Sequence, residues 1–140
     1  MKNFINSIQL VLTGIGGYLG YVLGGYDGFI YALITVVIFD FLSGVMVAIV
    51  EKKLSSEVGF RGIFKKLLIF FLVAIANILD VFLVKNGSVI RTAIIFFYLS
   101  NEGISILENC VRIGLPVPKK LKEVLEQFGE DDTDEYQDLP

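Results

Sequence analysis

The chain has 140 residues, enough for one domain, and 54% of them are hydrophobic, which leaves too little polar surface to cover a water-soluble domain of this length. It has no histidine and a single cysteine, Cys110, which argues against metal clusters, imidazole chemistry and an internal disulfide. The net charge of -3 hides an asymmetry, because six of the fifteen acids follow Gly129 and the twelve basic residues before it face nine acids. We therefore expect a membrane protein that is not an enzyme and needs no cofactor or metal.

Four apolar segments approach the roughly 20 residues that a helix needs to cross the hydrocarbon core. They cover approximately residues 4–23, 29–50, 67–84 and 89–107. The connections at 24–28 and 85–88 are short and rich in turn residues, which predicts antiparallel hairpins. We expect an all-α bundle of four transmembrane helices within residues 1–110. Polar residues and glycines dilute the first segment, so the alternative is three spans with an interfacial N-terminal helix.

The first segment contains Gly16, Gly20 and Gly24 at four-residue spacing. Small residues at this spacing form a flat strip on which another helix can pack closely in lipid. The strip predicts a helix contact, either within one chain or between two copies of it.

Several polar residues fall inside the apolar segments: Asp40, Asn77, Asp80, Asn101, Glu102 and Ser105. A charge at the bilayer centre costs about 2.5–3.5 kcal/mol on insertion scales, so these groups should face protein or water. They are predicted to line an aqueous path or to hold subunits together, with Asp40 the foremost candidate. The alternative is that each makes a satisfied hydrogen bond between helices.

Asp80 and Arg91 lie on opposite sides of the turn near Asn86. In an antiparallel hairpin, positions equally far from the turn lie at equal depth, which predicts an ion pair between these two side chains. Pairing would lower the cost of both charges in the bilayer.

A short amphipathic helix is predicted after Pro116 and Pro118, within residues 111–128. Its apolar positions recur at helical spacing: Leu121, Val124, Leu125 and Phe128. We expect it to lie on the inner leaflet. Residues 129–140 are acidic and poor in apolar residues, which predicts a disordered tail.

Basic residues are concentrated on one side of the predicted topology. They are Lys52, Lys53, Arg61, Lys65 and Lys66 between the second and third segments, and Lys119, Lys120 and Lys122 near the C-terminus. Positive residues stay on the cytoplasmic side, so both groups are predicted to contact the inner membrane surface. Four spans then make both termini cytoplasmic.

Two stretches near the C-terminus resemble the phage holins that are grouped with clostridial toxin-secretion proteins. They run Phe97-Tyr98-Leu99-Ser100-Asn101-Glu102-Gly103-Ile104-Ser105-Ile106-Leu107-Glu108-Asn109 and Gly114-Leu115-Pro116-Val117-Pro118-Lys119-Lys120-Leu121. Similar motifs are Asp40-x-x-Ser43-Gly44, the run from Glu51 to Phe60 with Gly62 and Lys66, and Ala76-Asn77-x-x-Asp80. The resemblance covers about residues 25–125.

The resemblance implies a lysis protein of the bacterial cytoplasmic membrane that assembles with copies of itself in the bilayer. It would open lesions that release an endolysin, or in clostridial relatives a toxin, without a stable complex with that cargo and without nucleic acid. The alternative is a small ion or proton channel, or a transporter subunit, that uses the intramembrane acids. Passage of a folded enzyme distinguishes the two, because a selective channel cannot pass a protein.

Overall fold

The structure, a computed structural model, describes residues 1–133 and the side-chain surroundings of residues 1–127. Five helices follow in chain order: α1 (Lys2–Leu23), α2 (Gly28–Val50), α3 (Ser56–Ile78), α4 (Val89–Ile113) and α5 (Lys119–Thr133). A π-helical turn, Leu79–Val84, continues α3. The all-α prediction is therefore confirmed for the described residues. The part of the predicted acidic tail that follows Thr133 lies outside them.

Polar caps and glycines set the helix boundaries. The Asp27 carboxylate accepts the N–H of Ile30 at 3.0 Å and begins α2, and the Ser55 hydroxyl accepts the N–H of Val58 at 3.3 Å and begins α3. Helices α1 and α4 end at Gly24 and Gly114, whose φ angles of +89° and +105° suit glycine.

Three helices in the described residues are long and apolar enough to cross a membrane: α2, α3 with its π turn, and α4. α1 is not among them, so the prediction of four spans is not confirmed, whereas a helical protein with several spans is. Only 17% to 22% of the residues in each span are buried inside the protein. Most of the exposed residues of α2 and α3 are apolar, as on a helix that faces lipid.

The buried apolar core joins the three spans. It consists of Ile30, Leu33 and Val37 from α2, Ile69 and Val73 from α3, and Ile95 from α4. At one end of the bundle an Arg112 Nη2 lies 2.6 Å from a Glu51 carboxylate oxygen, which joins the ends of α2 and α4. We call this the inner end, and the end with the turns at 24–27 and 85–88 the outer end.

Two boundaries differ from the sequence prediction at the inner end. Because Ser55 caps α3, this helix begins eleven residues before the predicted span, and Arg61, Lys65 and Lys66 lie within it. The α2–α3 connection is therefore short.

α5 also departs from the prediction, because it continues to Thr133 and packs against α4. The Ser100 hydroxyl donates to the carbonyl of Leu125, and a Cβ on Gly103 would lie 3.1 Å from the Leu125 side chain. Gly103 thus gives Leu125 room to approach the α4 backbone, which brings α5 alongside α4.

Candidate functional site

The inner cluster consists of Asp40, Lys66 and Glu102, one residue from each span. The Lys66 ammonium nitrogen lies 2.6 Å from an Asp40 oxygen and 2.6 Å from a Glu102 oxygen. Lys66 was predicted to lie at the membrane surface, but it lies within α3 and its side chain is only 17% exposed. Two acids therefore share one cation at the meeting point of α2, α3 and α4.

Asn109 and Ser43 complete the inner cluster. The Asn109 amide donates to the Ser43 hydroxyl at 2.9 Å and, more weakly, to Asp40 at 3.4 Å. The Ser43 hydroxyl in turn donates to the Asp40 carbonyl at 3.0 Å. These bonds join α2 to α4 closer to the inner end than the ion pairs do, by about one turn along α2 and two turns along α4.

A groove of about 250 Å³ leads from the inner end toward this cluster. Its lining includes Ser55 at the start of α3, the glycines Gly44 and Gly62, and Asp40 and Lys66 of the inner cluster. A Cβ added at Gly62 would meet no atom within 4 Å, and one at Gly44 only the Asn109 amide at 3.9 Å. The first half of α3 therefore stands away from α2. The apolar core lies beyond the cluster, toward the outer end.

The outer cluster centres on Arg91, which is only 2% exposed. Its Nη1 lies 2.8 Å from an Asp27 oxygen, while Nε and Nη2 donate to the carbonyls of Leu23 (2.6 Å) and Gly25 (3.1 Å). The hydrogen bond from Arg91 lowers the pKa of the Asp27 carboxyl below its ordinary value. This arginine fastens the α1–α2 turn to the outer end of α4.

Asp80 belongs to the same cluster but does not form the predicted ion pair with Arg91. Its two oxygens accept the backbone N–H groups of Ile90 (3.0 Å) and Arg91 (2.7 Å), and the residue is 1% exposed. A carboxylate there satisfies the free N–H groups at the start of α4 and interacts favourably with the helix dipole. The hairpin brings the two residues together, but the guanidinium takes Asp27 as its partner.

The glycine strip contacts side chains of its own chain at two of its three positions. A Cβ on Gly20 would lie 2.7 Å from the Tyr26 ring, and one on Gly24 would lie 2.6 Å from both Arg91 and Asn77. Gly16 has no atom within 4 Å of such a Cβ, although its carbonyl accepts the Tyr26 hydroxyl at 2.6 Å. Packing within one chain therefore accounts for Gly20 and Gly24.

The other predicted site residues are dispersed. The Asn77 amide donates to the carbonyl of Val22 at 3.1 Å and fastens α1 to α3. Ser105 lines the groove, whereas Asn101 is exposed on α4. The predicted surface lysines and arginine other than Lys66 are exposed: Lys52, Lys53, Arg61, Lys65, Lys119, Lys120 and Lys122.

Comparison with known protein families gives one match that covers most of the chain. The model of a family described as the bacteriophage holin family matches residues 17–130. The chain belongs to this holin family. The match covers all three candidate spans, both polar clusters and most of α5.

Relatives of this holin-family chain come from bacteria and phages. An uncharacterised 14.9 kDa protein of Clostridium perfringens is 40% identical over 129 residues, which are 92% of this chain and 98% of that protein. An uncharacterised protein of Listeria monocytogenes is 41% identical over 136 residues, 94% of this chain and 96% of its own length. A protein of Bacillus phage phi105 named a probable holin is 36% identical over 94 residues, 67% of this chain and 69% of that protein. No solved structure matches the chain.

The sequence prediction for this holin-family chain missed four residues that complete the clusters: Asp27, Ser43, Lys66 as an ion-pair partner, and Asn109. Two of them carried a usable signal. Asn109 lies seven residues after Glu102, on the same face of α4. Asp27 stands directly before an apolar helix, where an N-cap is expected.

Proposed function

We propose that this chain is a phage-type holin that self-associates in the bacterial cytoplasmic membrane and opens lesions through which an endolysin reaches the cell wall. Membership of the holin family and similarity to a probable holin support this proposal. A toxin of similar bulk would pass through the same opening. The role requires no catalysis.

The hairpin of α4 and α5 is the observation that carries the proposal. Leu125 of α5 lies against Ser100 and Gly103, near the middle of the candidate span α4. Two carboxylates of the same helix, Glu123 and Glu126, are exposed at this level. Because charges at such a depth are costly in lipid, we propose that this face of α5 faces water when copies assemble.

The rim of a wide lesion needs subunits that present one apolar face to lipid and one polar face to water. The apolar faces of α2 and α3 remain available to lipid, while the exposed acids of α5 remain available to water. A ring of such units would then separate a lipid side from an aqueous side without burying unpaired charges.

Expression in a bacterial host, with and without an endolysin, tests the function. We expect growth arrest without lysis when the chain is induced alone, and rapid lysis when the endolysin is also present. Lysis by endolysin alone at the same rate, or no arrest despite membrane accumulation, would contradict the proposal.

Cysteine labelling tests the water-facing helix in a Cys110→Ser background. A charged thiol reagent should modify Glu126→Cys in membranes, while Ile38→Cys serves as the control because it is exposed on the apolar face of α2. Protection of Glu126→Cys to the same degree as Ile38→Cys would place α5 in lipid and overturn the arrangement.

We also propose that the inner end is cytoplasmic, because Lys52, Lys53, Lys119 and Lys120 all lie near it. An impermeant reagent added outside intact cells, before any arrest, should label Asn86→Cys and spare Ser55→Cys. The reverse pattern would invert the orientation.

The small-channel alternative is less well supported. A relay across the membrane would have to join the inner and outer clusters, but the apolar core of Ile30, Leu33, Val37, Ile69, Val73 and Ile95 lies between them.

A further inference from the structure

A second cavity of about 440 Å³ lies between the last turns of α4 and the start of α5. Its apolar lining is Ile104, Leu107, Val111, Val117 and Pro118. Three cations, Arg112, Lys119 and Lys122, and one acid, Glu108, also line it. The cavity therefore combines an apolar floor with a net positive edge.

The position of the cavity matches the boundary of a bilayer. Helix α4 ends at Ile113, so Arg112 and Lys119 lie where the candidate span ends, while Leu107 and Ile104 lie about one and a half to two and a half turns deeper along α4. Phosphate groups of lipids occupy the first level and acyl chains the second. The cationic edge of the cavity therefore lies at the depth of a phospholipid headgroup, and its apolar part lies at the depth of the acyl chains.

The two lysines are more available to a ligand than the arginine. Both Nε and Nη2 of Arg112 are engaged by Glu51, at 3.2 Å and 2.6 Å. Lys122 has only a loose contact with Glu126 at 4.0 Å, and both lysines are exposed. Among the residues whose surroundings the structure describes, an anionic headgroup would give Lys119 a counter-charge and Lys122 a closer one than Glu126.

We propose that this cavity binds one anionic phospholipid, with its phosphate at Lys119 and Lys122 and an acyl chain along Ile104, Leu107 and Val111. The lipid fills the space that α4 and α5 leave open, and so stabilises the hairpin. This site is independent of lesion formation, because it needs only a single folded chain.

Native mass spectrometry of the full-length protein in detergent tests the site. Phosphatidylglycerol and phosphatidylcholine with identical acyl chains are the two probes, and we expect phosphatidylglycerol to bind at least about tenfold more tightly. The double variant Lys119→Gln/Lys122→Gln should weaken phosphatidylglycerol binding about 30-fold, since each lysine contributes about a factor of five near a lipid surface. Phosphatidylcholine binding should not change.

Two further variants separate this site from general lipid adhesion. The control Lys52→Gln/Lys53→Gln removes the same charge outside the cavity and should leave binding within twofold of wild type. The substitution Val111→Phe places a larger side chain in the cavity at an exposed position and should weaken both lipids. Circular dichroism should show unchanged helix content in all variants.

Three results would overturn the proposal. Equal binding of phosphatidylglycerol and phosphatidylcholine would indicate unspecific contact. So would a loss of affinity in the Lys52→Gln/Lys53→Gln control as large as that of the Lys119→Gln/Lys122→Gln variant. Complete displacement of phosphatidylglycerol by excess inorganic phosphate would show that the site recognises a free anion and has no use for an acyl chain.

Discussion

The two polar clusters hold the same bundle by different kinds of bond. In the outer cluster, Arg91 and Asp80 bond largely to backbone groups at the ends of α1 and α4. In the inner cluster, Lys66, Asp40 and Glu102 bond side chain to side chain between the middles of three helices. The outer bonds exist because helices end there, whereas the inner bonds can break while every helix persists. We therefore expect the bundle to open from the inner end.

The largest effect should follow Lys66→Met, which leaves two acids without their cation. Removing one partner of a buried charge group costs about 3–5 kcal/mol, and we expect a loss of that size in the free energy of unfolding in detergent. Lys65→Met is the matched control, because the preceding lysine is exposed.

Glu102→Gln is a second test of the inner cluster, because it leaves Asp40 and Lys66 as one balanced ion pair. Its cost should be clearly smaller than that of Lys66→Met. If Lys66→Met proves no worse than Lys65→Met, the inner cluster does not hold the helices together.

An intermediate effect is expected for Arg91→Lys in the outer cluster. Lysine keeps the charge but cannot donate to Leu23, Gly25 and Asp27 with the geometry of a guanidinium, so we expect a loss of about 2 kcal/mol. Thermal unfolding in detergent measures it, with Lys85→Gln as an exposed control near the same turn.

The charge exchange Asp80→Arg with Arg91→Asp should give no rescue over the worse single variant. Asp80 serves the N–H groups of α4, and an arginine cannot accept them. Recovery of stability in the double variant would instead support the predicted ion pair between Asp80 and Arg91.

The smallest effect concerns the glycines of α1. Gly20→Leu must displace the Tyr26 ring, so we expect a loss of about 1 kcal/mol in the stability of the single chain. A Cβ at Gly16 meets no atom within 4 Å, so Gly16→Leu should not lower the unfolding midpoint.

Crosslinking of the two glycine variants in membranes then tests contact between copies. If the free part of the strip is such a contact, Gly16→Leu should reduce dimer and higher bands at unchanged stability. Wild-type ladders for Gly16→Leu would show that the strip serves only its own chain.

Much of the fold could be predicted because hydropathy and turn chemistry are local. The apolar segments that became α2 and α4, the turns near Gly24 and Asn86, and the helix after Pro118 were all visible in the sequence. The bounds of α3 were not, because charged residues hid a helix that Ser55 starts early.

The partners within the clusters were harder to predict. Sequence spacing placed Asp80 beside Arg91 correctly in depth but could not choose among the nearby groups, since that choice depends on side-chain direction. Lys66 looked like a surface lysine because its two carboxylate partners lie 26 and 36 residues away along the chain. The docking of α5 depends on Gly103 being small, which only the assembled backbone shows.

Release of cargo from vesicles separates a holin from a channel most directly. Purified full-length protein would be reconstituted into liposomes that hold both a small dye and a folded enzyme of endolysin size, with protein-free liposomes as the control. We expect both cargoes to escape above a threshold density of protein, because the lesion is wide. Escape of the dye with complete retention of the enzyme at every density would contradict a holin and favour a narrow channel.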